Sequence, residues 1–263
     1  MLDPAHSPLG SHPSALLLGI AVLALAGCAS APAAVPASPA PAAAKPALTP
    51  QQERMLNDWA QLGRYREADA ALGPPAAGEH RVVFMGNSIT DAWAKYFPDE
   101  FPGKPYVGRG ISGQTTPQML VRFRQDVIDL EPDVVVILAG TNDIAGNTGP
   151  STLGMIEDNL KSMVELARAN HIRVVLCSVL PAYDFPWRPG QQPAQKIVAL
   201  NEWIRDYAAR NGIVYVDYHS AMADARQGLR SDLTTDGVHP NEAGYRIMAA
   251  LVEPAIEETL RRP

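Results

Sequence analysis

The run Val134-Val135-Val136-Ile137-Leu138 constrains the fold of this chain more than any other stretch, because consecutive apolar β-formers leave no polar face to turn toward water. A strand of that kind is buried on both faces, the condition met inside a parallel sheet with helices packed on either side. It sits in a longer candidate strand from Asp133 to Ala139, and similar short runs occur at Arg81 to Met85, Tyr106 to Gly108, Arg173 to Val179 and Ile213 to Asp217. Between them the spacing of apolar residues predicts helices near Trp93, at Pro117 to Leu130, at Ser151 to Asn170 and at Pro193 to Asn211, with a last one from about Asn241 to Arg261. Strands alternating with helices specify an α/β domain with a parallel sheet.

Sheets of this type bind ligands at the C-terminal ends of their strands, and the polar motifs of this chain follow its strands at that edge. Ser88 stands in Gly86-Asn87-Ser88-Ile89-Thr90, where the first strand ends. Asp236 and His239 stand three residues apart in Thr235-Asp236-Gly237-Val238-His239-Pro240, close enough for a carboxylate and an imidazole to touch. A serine at a strand end, facing a histidine backed by an aspartate, reads as a serine esterase. Ser88 is not in the nucleophile elbow of an α/β-hydrolase, which needs Gly two residues after the serine where this chain has Thr90.

Four blocks in order resemble the SGNH, or GDSL-type, hydrolase family: Gly86-Asn87-Ser88, then Gly110-Ile111-Ser112-Gly113, then Gly140-Thr141-Asn142-Asp143, then Asp236 to His239. The match runs from about Arg81 to Arg262. This resemblance implies a three-layer α/β/α sandwich on a five-stranded parallel sheet of flavodoxin-like order. It also implies Ser88 as nucleophile, His239 as general acid and base, and Asp236 as the residue that orients and charges the imidazole. The oxyanion hole would be the backbone N–H of Ser88, the backbone N–H of Gly113 and the side-chain amide of Asn142, with no cofactor. Glycine at 113 would let the backbone come close to the ligand without a Cβ in the way. The chain departs from the commonest family pattern at Asn87, where Asp is usual, which points to a branch in which the motif reads GNSIT.

Each of these residues has a plainer role to set beside it. Ser88 could cap a helix that begins near Thr90, Asp236 could cap the turn at Gly237, and Asn142 and Asp143 could be ordinary loop residues. His80, His171 and His219 are rival bases, of which His219, following Asp217, is the strongest. No two histidines fall at metal-ligand spacing, so no metal site is expected. Tyr183 and Trp187, in the loop Pro181 to Arg188 after the fourth strand, are candidate substrate contacts that could stack on a sugar, pack an acyl chain or only pin the loop. Trp93 is expected in the core, and so is Cys177, inside an apolar run.

Composition sets the remaining limits. A chain of 263 residues with 46% hydrophobic and 19% charged residues has room for one sizeable core. The net charge of −6, with no cluster of Lys and Arg, excludes nucleic-acid binding as the main role. Residues 1–27 read as a lipoprotein signal peptide: Ala15 to Ala26 form an apolar stretch too short to span a bilayer, ending in Leu25-Ala26-Gly27-Cys28, which resembles a lipobox. The stretch departs from the usual pattern in having no Lys or Arg ahead of it. Cys28 would carry the lipid, and residues 28–50, nearly all Ala and Pro, would form a tether reaching on the order of 60 Å. Residues 51–78 would form an N-terminal helix, from Gln51 to Ala71, and a connector, with the hydrolase domain at 79–263. The expected protein is a lipid-anchored envelope esterase, held in the outer membrane facing the periplasm or the surface. It would cut short acyl esters, such as O-acetyl groups on carbohydrates or similar polar molecules. A lipid acylhydrolase and a non-catalytic envelope binding protein are the competing readings.

Overall fold

A computed structural model of the chain describes residues 47–262. Cys28, the signal peptide and most of the tether lie outside the described residues. The chain enters through α1 (Pro50–Asn57) and α2 (Arg66–Leu72), then lays down β1 (Val82–Gly86), α3 (Ser88–Trp93), α4 (Phe97–Glu100) and β2 (Tyr106–Gly110). It continues through α5 (Thr116–Asp126), β3 (Val134–Leu138), α6 (Thr141–Ile144), α7 (Leu153–Ala169) and β4 (Arg173–Cys177). It ends with α8 (Pro193–Arg210), β5 (Val214–Val216), α9 (Tyr218–Met222) and α10 (Glu242–Arg261). The five strands pair in parallel in the order β2-β1-β3-β4-β5, the flavodoxin-like arrangement.

Alternation along the buried strands divides the apolar side chains between two cores. Val83, Met85, Val135, Ile137, Val174 and Leu176 point to one face, where Met119 and Phe123 of α5, Leu160 and Met163 of α7 and Ile197 and Leu200 of α8 cover them. Val82, Phe84, Val134, Val136, Val175 and Val214 point to the other, under Trp93 of α3 and Tyr245, Met248 and Val252 of α10. The result is the three-layer sandwich expected. Trp93, 1% exposed, is a core residue that stacks on Tyr245 with ring centroids 5.8 Å apart.

The segment Gln51 to Ala71 is not the single helix its apolar spacing predicts. It breaks between Asp58 and Tyr65, where Asp58 accepts hydrogen bonds from the backbone N–H groups of Leu62 and Gly63 (2.7 and 3.0 Å) and Gln61 turns left-handed at φ 54°. Local side-chain bonding of this kind competes with the helix ladder. The broken stretch is strapped to the domain by three glutamine amides: Gln118 donates to the Trp59 carbonyl (2.6 Å), Gln114 to Ala60 (2.7 Å) and Gln125 to Leu62 (2.6 Å). The fourth strand also ends earlier than predicted, at Cys177. Asn201 takes over at Val179, accepting from its N–H (2.7 Å) and donating to its carbonyl (2.9 Å) in place of a neighbouring strand.

Candidate active site

The C-terminal ends of β1, β2 and β3 bring the first three blocks to one edge of the sheet. At the end of β1 it is Asn87, not Ser88, that caps α3: its Oδ1 accepts from the Ile89 N–H at 3.0 Å. Capping by Asn87 leaves the Ser88 hydroxyl free, and it lies 2.9 Å from His239 Nε2. His239 Nδ1 lies 2.6 Å from Asp236 Oδ2. With its Nδ1–H donated to the carboxylate, the imidazole offers the Nε2 lone pair to the serine O–H.

The Asp236 carboxylate serves both of the roles weighed for it. Its Oδ1 accepts from the backbone N–H groups of Val238 (2.9 Å) and His239 (2.8 Å), closing the turn at Gly237, while Oδ2 holds the ring. Burial pushes this carboxyl up, but the bonds from the His239 backbone and ring and from Val238 outweigh it and hold the group at about 2. Thr234 fastens the other side of the loop by donating to the His239 carbonyl at 2.7 Å. The rival histidines are elsewhere: His80 pairs with Asp133 at 2.6 Å, His171 is exposed after α7, and His219 is buried in α9 with Nε2 unpartnered.

The residues that follow the second block hold the third. Asp143 is 2% exposed and accepts from the Thr116 N–H (3.0 Å) and hydroxyl (2.6 Å), and burial raises its carboxyl to about 6. Asn142 donates to the Gln114 carbonyl at 2.8 Å, which uses one of its two amide hydrogens and leaves the other for a ligand. Its Oδ1 accepts from Asn147 at 3.0 Å, which fixes which way the amide faces. The N–H groups of Ser88 and Gly113 have no acceptor among the described residues. Gly113 sits at φ +80° with nothing within 4 Å of where a Cβ would stand. The left-handed backbone angle by itself favours glycine there, and the open space beside it is where a ligand would approach. At Gly110 room does decide, since a Cβ would fall 2.1 Å from the Asp91 backbone nitrogen.

The two candidate aromatics part company. Trp187 stays at the site, with its ring centroid 6.0 Å from that of His239, its back stacked on Phe185 at 5.1 Å and its indole N–H donating to Asn147 at 3.0 Å. Tyr183 lines a different pocket, beside Asp224 and Asp236, under the Arg226 guanidinium 4.7 Å from its ring. The loop turns between the two residues, so Tyr183 shares a pocket with Asp236 and Gly237 while Trp187 stands beside His239. Two supporting residues carry no local sequence signature. Asn147 bonds Asn142, the Gly113 carbonyl (3.2 Å) and Trp187 together. Arg122, fully buried, donates to Gln114 (2.6 Å), Asp126 (2.8 Å) and the Gly86 carbonyl (2.9 Å) just ahead of the serine. Among the described residues no group of three or more His, Cys, Asp or Glu could hold a metal ion. Cys177 is buried, and burial pushes its thiol up to about 12, as for a core residue.

Residues 84–247 match the model of the GDSL-like Lipase/Acylhydrolase family. A crystal structure from Bacteroides fragilis, of a protein assigned as an acylhydrolase, is 51% identical, with TM-score 0.76, covering 78% of this chain and 99% of that one. A GDSL-like lipase from Bacteroides thetaiotaomicron is 50% identical, with TM-score 0.74, covering 76% of this chain and 99% of that one. An acetylxylan esterase from Xylanibacter ruminicola is 26% identical over 242 residues, 78% of this chain but 48% of that protein, so the chain spans about half the length of this curated relative. The chain belongs to the GDSL-like lipase/acylhydrolase family, and residues 84–247 carry an esterase domain of that family.

Proposed function

We propose that the protein is a serine esterase that removes short acyl groups, acetyl above all, from carbohydrates or similar polar alcohols. The observation that carries this reading is the chain of contacts from Ser88 Oγ to His239 Nε2 (2.9 Å) and from His239 Nδ1 to Asp236 Oδ2 (2.6 Å). The Ser88 oxygen attacks the ester carbonyl carbon as its proton passes to His239 Nε2. The oxyanion is met by the N–H groups of Ser88 and Gly113 and the free amide hydrogen of Asn142. His239 then protonates the departing alkoxide, leaving an acyl-Ser88 ester. Water attacks that ester with His239 taking its proton, the carboxylic acid leaves, and the proton returns to Ser88. Asp236 holds the imidazole in the tautomer both half-reactions need.

Acetyl as the acyl group is supported by the similarity to an acetylxylan esterase across 78% of this chain. A lipid acylhydrolase is the second reading, favoured by the exposed Leu48, Met55 and Leu56 near Gly113. The lipobox-like Leu25 to Cys28 supports a protein anchored in the outer membrane, facing the periplasm or the surface. Hydrolysis of p-nitrophenyl acetate by wild type, Ser88→Ala and His239→Ala tests the chemistry. Wild type should turn over and both variants should lose about a thousandfold or more while staying folded. Equal activity in all three would dismiss the triad, and a preference for octanoyl over acetyl esters would favour the lipid reading.

A further inference from the structure

We propose that the N-terminal segment Leu48 to Leu56, ahead of the hydrolase motifs, is one wall of the subsite that holds the alcohol part of the ester, and that this subsite takes an uncharged sugar ring. The inference rests on the esterase reading above. Leu48, Gln52, Met55 and Leu56 recur at helical spacing on one side of α1 and its entry, and they face a groove of about 710 Å³. The opposite wall includes Gly113, Asn147 and Trp187, so the groove runs directly into the region of the oxyanion donors.

The apolar side of α1 is not spent on the core. Leu56 is 71% exposed, Leu48 49% and Met55 38%, beside Trp187 at 41%. Exposed apolar side chains gathered along a groove, and not scattered singly, mark a binding surface. The segment behind them is held in place, because the carbonyls of Trp59, Ala60 and Leu62 are bonded by Gln118, Gln114 and Gln125 of the site's own loop and helix.

Direction along the groove follows from the proton transfers. His239 must protonate the departing alkoxide, so the alcohol leaves on the His239 side, and Trp187 is the aromatic ring beside His239. Phe185 covers one face of the indole and Asn147 holds its N–H, which leaves the other face as a fixed apolar platform. Among the described residues no carboxylate lines the groove, and Arg188 is the one cation there. The side-chain donors of Gln52 Nε2 and of the Arg188 guanidinium have no acceptor among the described residues, while the Arg188 backbone N–H donates to the Phe185 carbonyl (2.9 Å). An aromatic platform with amide and guanidinium donors suits the apolar C–H face and the hydroxyls of a neutral sugar.

The test uses the full chain, the double variant Met55→Ala/Leu56→Ala, Leu56→Met as a conservative control, and Trp187→Ala. KM for an acetylated xylo-oligosaccharide should rise about tenfold in the double variant with kcat within about twofold, and should rise in Trp187→Ala as well, while Leu56→Met stays near wild type. An unmoved KM would overturn the proposal. So would a rise confined to p-nitrophenyl octanoate, which would place an acyl chain in the groove. The esterase reading has its own readout, a p-nitrophenolate burst in wild type that Ser88→Ala lacks. Should that burst be missing, binding of unacetylated xylo-oligosaccharide by calorimetry still decides the groove: weakened binding in the Met55→Ala/Leu56→Ala variant upholds it, and equal binding overturns it.

Discussion

Asp236 divides its two oxygens between the turn it closes and the imidazole it orients, so a single side chain links the stability of the loop to the state of His239. Its carboxyl is held at about 2, below the roughly 3.9 of an unfolded aspartate, so its contribution to stability is complete above about pH 4 and is lost as the pH falls through about 2. Asp236→Asn should therefore unfold more easily than wild type at neutral pH, with the difference closing between about pH 4 and 2; chemical denaturation across that range measures it. The same variant should lose about 100- to 10,000-fold in kcat, because an amide can hold the wrong imidazole tautomer. At this scale the sequence was legible in which side chains would meet, since Ser88, His239 and Asp236 lie in one chain of contacts. It did not show which residue caps α3: a cap was weighed only for Ser88, and the structure gives it to Asn87.

Among the elements, α5 is the one on which the site is assembled. Its Arg122 reaches the Gly86 carbonyl ahead of Ser88 and, through Gln114, the loop that carries Gly113, while Thr116 at its start is bonded to Asp143. Arg122 and Asp126 are both fully buried, four residues apart. Removing one partner of such a pair leaves an uncompensated buried charge, so Arg122→Met should cost about 3–5 kcal/mol in urea unfolding, and adding Asp126→Leu should recover part of it. The helix was readable from its apolar spacing, but this network was not, since a buried arginine at i and an aspartate at i+4 look like an ordinary surface pair. The break in Gln51 to Ala71 was hidden for the opposite reason. Met55, Leu56, Trp59 and Leu62 keep a helical period, yet the glutamines that capture the carbonyls of Trp59 and Leu62 lie some sixty residues later.

For the whole molecule, the segment ahead of the hydrolase motifs reaches the site, since Leu48 lines the groove next to Gly113. An anchor at Cys28, if formed, would lie twenty residues ahead of Leu48. Labelling with palmitate should be present in wild type and lost in Cys28→Ser, with the variant released from the membrane fraction; unlabelled wild type would refute the anchor. The parallel sheet and the order of the four blocks were legible in the residues alone, because burial on both faces writes itself into every strand and esterase chemistry needs particular side chains at strand ends; the division of the one expected core into two was not. It took packing to bring Trp187, and not Tyr183, beside His239, to join Gly113 to Asn142 through Asn147, and to bring the N-terminal segment to the groove. Those contacts join residues far apart in the chain or on opposite sides of a loop turn, and local pattern carries no record of which distant surfaces will meet.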